Sequence, residues 1–129
     1  MPTASQWRVL IADDVRDVAE SLALWLEMQG ARTWLASDGQ AALELATKHR
    51  PSIALLDLEM PKLTGFELAA RLREQPWGRD LVLIAISGWG RPADIEAALA
   101  AGFDAHLLKP YDPERLSALI EQLLTRPAR

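Results

Sequence analysis

The sequence predicts an α/β domain, a doubly wound five-stranded parallel sheet between two layers of helices, and three observations carry that expectation. Apolar runs without helical period alternate five times with segments of helical period. The runs are apolar throughout, as in strands covered on both faces. All but the second end on polar residues: Asp13-Asp14, Asp57, Ser87 and Lys109.

Trp7 to Ala12 reads as the first strand, stopped by two acids. Val18, Leu22, Trp25 and Leu26 then recur at i, i+4, i+7 and i+8, an amphipathic helix closed by Gly30 in the left-handed region. Arg32 to Ala36 is the second strand. Asp38-Gly39 opens a second helix with Ala42, Leu45 and Ala46 on one face, and Pro51 closes the connection. Ser52 to Asp57 is the most strand-like run, followed by a loop from Pro61 to Thr64. Thr64-Gly65-Phe66-Glu67 has the form of a capping box, so a third helix starts near Gly65. Leu81 to Ile86 is the fourth strand. Pro92 occupies the first turn of a fourth helix, with Ile95, Ala98 and Leu99 expected to face inward and Gly102 ending it. Asp104 to Leu108 is the fifth strand, running into Lys109-Pro110. Asp112-Pro113 caps a last helix with Leu116, Leu119, Ile120 and Leu123 on one stripe. A single domain is expected over 7–125, with flexible termini at 1–6 and 126–129.

Bulk properties narrow the function. The 129 residues, half of them apolar, fill one sizeable core. A formal charge of −4, with Lys and Arg scattered singly along the chain, argues against direct nucleic-acid binding. The absence of cysteine removes disulfides, thiolate chemistry and zinc knuckles. Apolar runs fall far short of the ~20 residues a spanning helix needs, and Met1 to Gln6 lacks the parts of a signal peptide. A soluble, cytoplasmic protein without membrane insertion is expected.

In open parallel sheets, ligands bind beyond the carboxyl ends of the strands. There Asp13, Asp14 and Asp57 would meet the Ser87 hydroxyl and the Lys109 ammonium. Clustered carboxylates repel one another unless a cation intervenes, and a hard divalent ion suits oxygen donors while keeping waters that a phosphoryl oxygen can replace. Mg²⁺, or Mn²⁺ in its place, is expected on Asp14 and Asp57, with Asp13 binding directly or through water. Given the metal, Asp57 can attack phosphorus to form an aspartyl phosphate. The equatorial oxygens then go to the metal, to Lys109 and to Ser87 with nearby amides.

These residues together resemble a response-regulator receiver domain over roughly Arg8 to Leu124. The match rests on Asp13-Asp14, on Leu56-Asp57-Leu58-Glu59-Met60-Pro61 with Gly65-Phe66-Glu67 behind it, on Ser87-Gly88, and on Asp104 to Pro110. The resemblance implies a flavodoxin-like (βα)₅ three-layer sandwich with strand order 2-1-3-4-5. It implies phosphotransfer to Asp57 from a histidine kinase or a histidine phosphotransfer protein, dependence on Mg²⁺, the Glu59 backbone carbonyl as a metal ligand, and a cis Lys109-Pro110 bond. Such a domain is a phosphoacceptor switch, not an enzyme beyond its own phosphorylation and dephosphorylation. Its downstream protein partner would dock on the fourth helix, fifth strand and fifth helix.

In the family the hydroxyl at Ser87 moves toward the phosphoryl group and an aromatic ring at the His106 position turns inward behind it. Here that ring is an imidazole, smaller, polar and able to protonate near neutral pH, so the switch is expected to be shallower or pH-sensitive. Glu59, Gly88 and Trp89 would flank the phosphoryl group. The Trp89 indole is expected to shield it from water, so that Trp89→Ala shortens the phosphorylated lifetime.

Singly, these residues have plainer readings. Asp13-Asp14 fits a turn or helix cap, Ser87 a loop, Lys109 a surface cation and His106 a strand interior. Agreement of the five strand-end positions favours function. Competing functions are a pseudo-receiver acting by constitutive contacts, opposed by the complete polar set, and a nucleotide- or flavin-binding domain, opposed by the lack of a glycine-rich phosphate loop. The Ser-Gly-Trp-Gly loop and the Phe103 to Pro110 run are similar to receivers fused to hybrid histidine kinases, which offers an excised kinase receiver as the alternative context.

Overall fold

The computed structural model describes residues 7–60, 62–88 and 90–125. The expectations for the two termini, for Pro61 and for Trp89 lie outside the described residues.

Strands β1 (Arg8–Ala12), β2 (Arg32–Ala36), β3 (Ile53–Asp57), β4 (Val82–Ser87) and β5 (Ala105–Leu108) alternate with helices α1 (Arg16–Met28), α2 (Gly39–His49), α3 (Gly65–Glu74), α4 (Pro92–Ala100) and α5 (Pro113–Leu124). The sheet is parallel in the order β2-β1-β3-β4-β5, the flavodoxin-like arrangement that the resemblance implied. A 3₁₀ turn at Pro76–Gly78, not anticipated from the sequence, links α3 to β4.

Alternation along the strands divides the core in two. Leu10, Ala54, Leu56, Leu83 and Ala85 pack with α2 and α3 residues such as Ala42, Ala46, Leu68 and Leu72. Val9, Ile11, Ile53, Leu55, Ile84 and Leu107 pack with Ala19, Leu22 and Leu26 of α1 and with Leu116 and Ile120 of α5. Residues 53–57 of β3, at the centre of the sheet, are all buried, which explains the unbroken apolar run.

The helix signals act as expected. Asp38 accepts from the Ala41 amide, and Thr64 and Glu67 close a complete capping box. Gly30 adopts φ 102°, the left-handed turn that ends α1.

Two faces differ from the periodicity. In α1 the sheet is met by Ala19, Leu22, Ala23 and Leu26, whereas Val18 is 42% exposed. Small alanines bring α1 close to the sheet and rotate the larger Val18 outward. In α4 only Ala98 is buried; Ile95 and Leu99, expected inside, are 37% and 49% exposed. The edge strand β5 is four residues long and gives α4 little surface to cover.

Candidate functional site

The register builds the site. Ala12 pairs with Leu56, so Asp13 and Asp57 follow side by side at the ends of β1 and β3. This is where the order reverses, since β1 has β2 on one side and β3 on the other. The alternation that sends Ile11, Leu55 and Leu107 toward α1 and α5 continues to Asp13, Asp57 and Lys109. Ser87 lies on the opposite parity, with Leu83 and Ala85.

Asp13 and Asp57 are both buried, and each is fixed by an amide two residues on. The Val15 amide donates to Asp13 Oδ1 at 2.8 Å and the Glu59 amide to Asp57 Oδ1 at 3.0 Å. The other oxygens share one ammonium: Lys109 Nζ is 3.1 Å from Asp57 Oδ2 and 3.5 Å from Asp13 Oδ2. Exposed Asp14 completes a group in which a carboxylate oxygen from each of Asp13, Asp14 and Asp57 lies within 4.8 Å of the others. The Lys109-Pro110 peptide is cis, as the resemblance implied.

One cation therefore serves two buried carboxylates with a third beside them. Burial pushes the Asp13 carboxyl above its ordinary value and the charge of Asp57 adds to this; the Val15 amide and Lys109 oppose it without cancelling it. Burial alone would lower Lys109, but the hydrogen bond and charge of Asp57, with Asp13, leave it raised and firmly protonated. An under-neutralised set of hard oxygen donors fits a divalent cation such as Mg²⁺.

Gly65 contributes in a way the sequence reading did not assign. A Cβ on it would stand 2.6 Å from the Asp57 carbonyl oxygen and 2.8 Å from Leu58 Cα. Only glycine lets the start of α3 seat directly behind Asp57, and its position immediately after the Thr64 cap was the available signal.

Ser87 is fully buried and its Oγ lies 2.7 Å from His106 Nε2. His106 pairs with Ala85, which puts it on the same face as Ser87 and diagonal to it. Glu59 and Gly88 are exposed at the rim. A groove of about 740 Å³, also absent from the sequence reading, runs from Lys109, Pro110 and Tyr111 to Val18 and Trp25 of α1. Burial, with the charge of Asp13, pushes the Tyr111 phenol up to about 12, so it stays neutral and serves as apolar wall with a polar tip.

The family model for the response regulator receiver domain matches residues 9–121. The chain belongs to the response-regulator receiver family. It is 38% identical over 122 residues to an uncharacterised 14.6 kDa protein of Leptolyngbya boryana, covering 95% of this chain and 93% of that one. It is 40% identical over 119 residues to response regulator MprA of Mycobacterium leprae, covering 92% of this chain and 51% of the relative. This receiver chain thus spans about half the length of the MprA relatives it matches. Among solved structures it superposes on the chemotaxis response regulator CheY4 of Vibrio cholerae with a TM-score of 0.86 at 27% identity, covering 91% and 98% of the two chains. The signal receiver domain of a histidine kinase from Syntrophus aciditrophicus gives 0.83 at 28% identity, covering 92% and 90%. Receiver domains of this family are phosphoacceptor switches that bind Mg²⁺ at an acidic cluster, and the carboxylate group at the rim is such a cluster. Among the described residues no helix is long and apolar enough to cross a membrane.

Proposed function

We propose that this receiver takes a phosphoryl group from the phosphohistidine of a histidine kinase, or of a histidine phosphotransfer protein, onto Asp57. The observation that carries this reading is a buried carboxylate, held by the Glu59 amide, with Lys109 at 3.1 Å and two further acids within 4.8 Å. An Asp57 oxygen forms a bond to phosphorus while the phosphorus–nitrogen bond of the donor breaks, and the nitrogen electron pair returns to the departing imidazole. Lys109 neutralises one phosphoryl oxygen and Ser87 donates to another. Asp13, Asp14, Asp57 and the Glu59 carbonyl would hold Mg²⁺, which when bound supplies charge neutralisation for the transferred group.

A donor protein approaching Asp57 meets the apolar groove beside Lys109, where Val18, Trp25 and Pro110 offer a seat for its helix. The downstream partner is assigned to the α4-β5-α5 face. Support comes from the exposure there of Ile95, Leu99 and Leu108, the last 48% exposed. The likeness to a kinase-borne receiver supports an excised hybrid-kinase domain as the second context.

The test is incubation with a small phosphodonor and Mg²⁺ followed by intact mass. The wild type should gain one acid-stable, base-labile phosphoryl group that chelator prevents, and Asp57→Asn should gain none. A phosphate on both proteins would place the acceptor elsewhere.

A further inference from the structure

We propose that His106 is a positioning residue for Ser87, acting through a proton relay, so that phosphorylation of Asp57 is coupled to protonation of His106. The proposal rests on the reading of Asp57 as the acceptor.

The hydroxyl of Ser87 has one proton, and its oxygen is 2.7 Å from His106 Nε2. At that separation one of the two atoms must carry the proton between them. When Nε2 is bare, Ser87 spends its proton on the imidazole. A phosphoryl group on Asp57 presents only acceptor oxygens, so Ser87 can then serve it only by abandoning His106 or by setting lone pair against lone pair. When Nε2 carries a proton, the directions reverse: His106 donates to Ser87 Oγ, and the hydroxyl proton is released toward the phosphoryl oxygen. The neutral ring achieves this only by adopting the tautomer with Nε2–H. The imidazolium always does, and negatively charged phosphoryl oxygens one hydroxyl away favour it.

Packing holds the pair together. Ser87 is fully buried, and the register of Ala85 with His106 fixes the diagonal that joins them. The charged groups around the ring do not supply this coupling themselves. On α4, Asp94 feels the charge of His106 but is already engaged by Arg91, 2.9 Å away. Asp112, Arg115 and the phenol of Tyr111 line the cavity of about 400 Å³ that His106 and Ile95 share. Lys109, three residues on, is engaged by Asp57 and Asp13. The relay therefore links the phosphorylated rim to a ring that borders the exposed side of α4.

The two histidines of the chain make the test direct. His49, stacked on Trp34 at 4.7 Å, serves as an internal reference for an imidazole NMR titration with Mg²⁺, with and without beryllofluoride as the phosphoryl mimic. The mimic should raise the pKa of His106 by about 0.5 to 1 unit and leave His49 in place. By linkage, ¹⁹F-detected affinity for the mimic should be about three- to tenfold higher below the His106 titration than above it, an increment missing in His106→Phe. The rise should vanish in Ser87→Ala and persist in Ser87→Thr, which keeps the hydroxyl and guards against a packing defect. A bound mimic with an unmoved His106, or an equal rise in Ser87→Ala, would overturn the relay and leave the acceptor reading intact. Absence of any bound ¹⁹F signal would overturn the acceptor reading and the relay with it.

Discussion

Two partly buried ion pairs near the fourth and fifth strands differ in how completely they are satisfied. Arg73 on α3 sends its guanidinium to the carbonyls of Gly78, Arg79, Leu81 and Gly102 and places one nitrogen 3.0 Å from Asp104. Asp104 in turn accepts from the Leu83 amide at 2.9 Å. Donors and acceptors are matched, and the planar fork locks α3, the Pro76–Gly78 turn and the start of β5 together. At the other end of the same strands, the flexible Lys109 ammonium is shared between Asp57 and Asp13, with Asp14 beside them. A saturated pair holds the fold; an unsaturated one is left with capacity for a cation and a phosphoryl group. Burial and charge alone do not separate structural from chemical ion pairs, but the count of satisfied partners does.

Breaking each pair should therefore produce opposite profiles. Arg73→Ala leaves Asp104 buried without its cation and strands the loop carbonyls, and should cost about 3–5 kcal/mol in urea unfolding. The fraction still folded should accept phosphate at the wild-type rate; a slowed rate in that fraction would show that the pair also serves the rim. Lys109→Arg keeps the charge but puts a rigid fork where a point charge is needed. Phosphorylation from a small donor should slow about a hundredfold or more, by analogy with removing one donor to a developing charge. Unfolding free energy should stay within about 1 kcal/mol of wild type, because this pair is not what holds the strands.

Much of this was legible in the sequence, for identifiable reasons. Strand ends are marked by an abrupt change from apolar to charged residues, so Asp13, Asp57 and Lys109 could be placed on one rim before their distances were known. The caps at Asp38 and Thr64 are local chemistry and fell where the spacing put them. What periodicity lacked was rotation and register. It gave α1 and α4 an apolar stripe without fixing which flank the sheet would cover, so Val18, Ile95 and Leu99 were turned the wrong way. The Ser87–His106 contact depends on pairing Ala85 with His106, which no local signal encodes. The same holds at the far end of the sheet. The register of Arg8 with Arg32 gathers cations that are scattered in sequence, both guanidinium groups lying within 5.3 Å of the Trp34 ring centroid.

The smallest expected effect sharpens the contrast most, because it has the unusual sign. Asp13 has a raised pKa in the folded chain, chiefly from burial, so the fold disfavours its ionised form. Its contribution is therefore most favourable below the unfolded value near 3.8 and is lost as pH rises through the higher folded value. In chelator, Asp13→Asn keeps a side-chain oxygen for the Val15 amide and removes that charge. The variant should unfold a few degrees higher than wild type at neutral pH, on the order of 1 kcal/mol, and the gain should shrink toward pH 4. Added Mg²⁺ should stabilise the wild type more than the variant and reverse their order, since the buried carboxylate charge that penalises the metal-free fold is what binds the ion. Thermal melts of both proteins from pH 4 to 8, with chelator and with Mg²⁺, check this. A variant less stable than wild type in chelator throughout would mean that Asp13 is as fully satisfied as Asp104, and that the rim holds no reserve of charge.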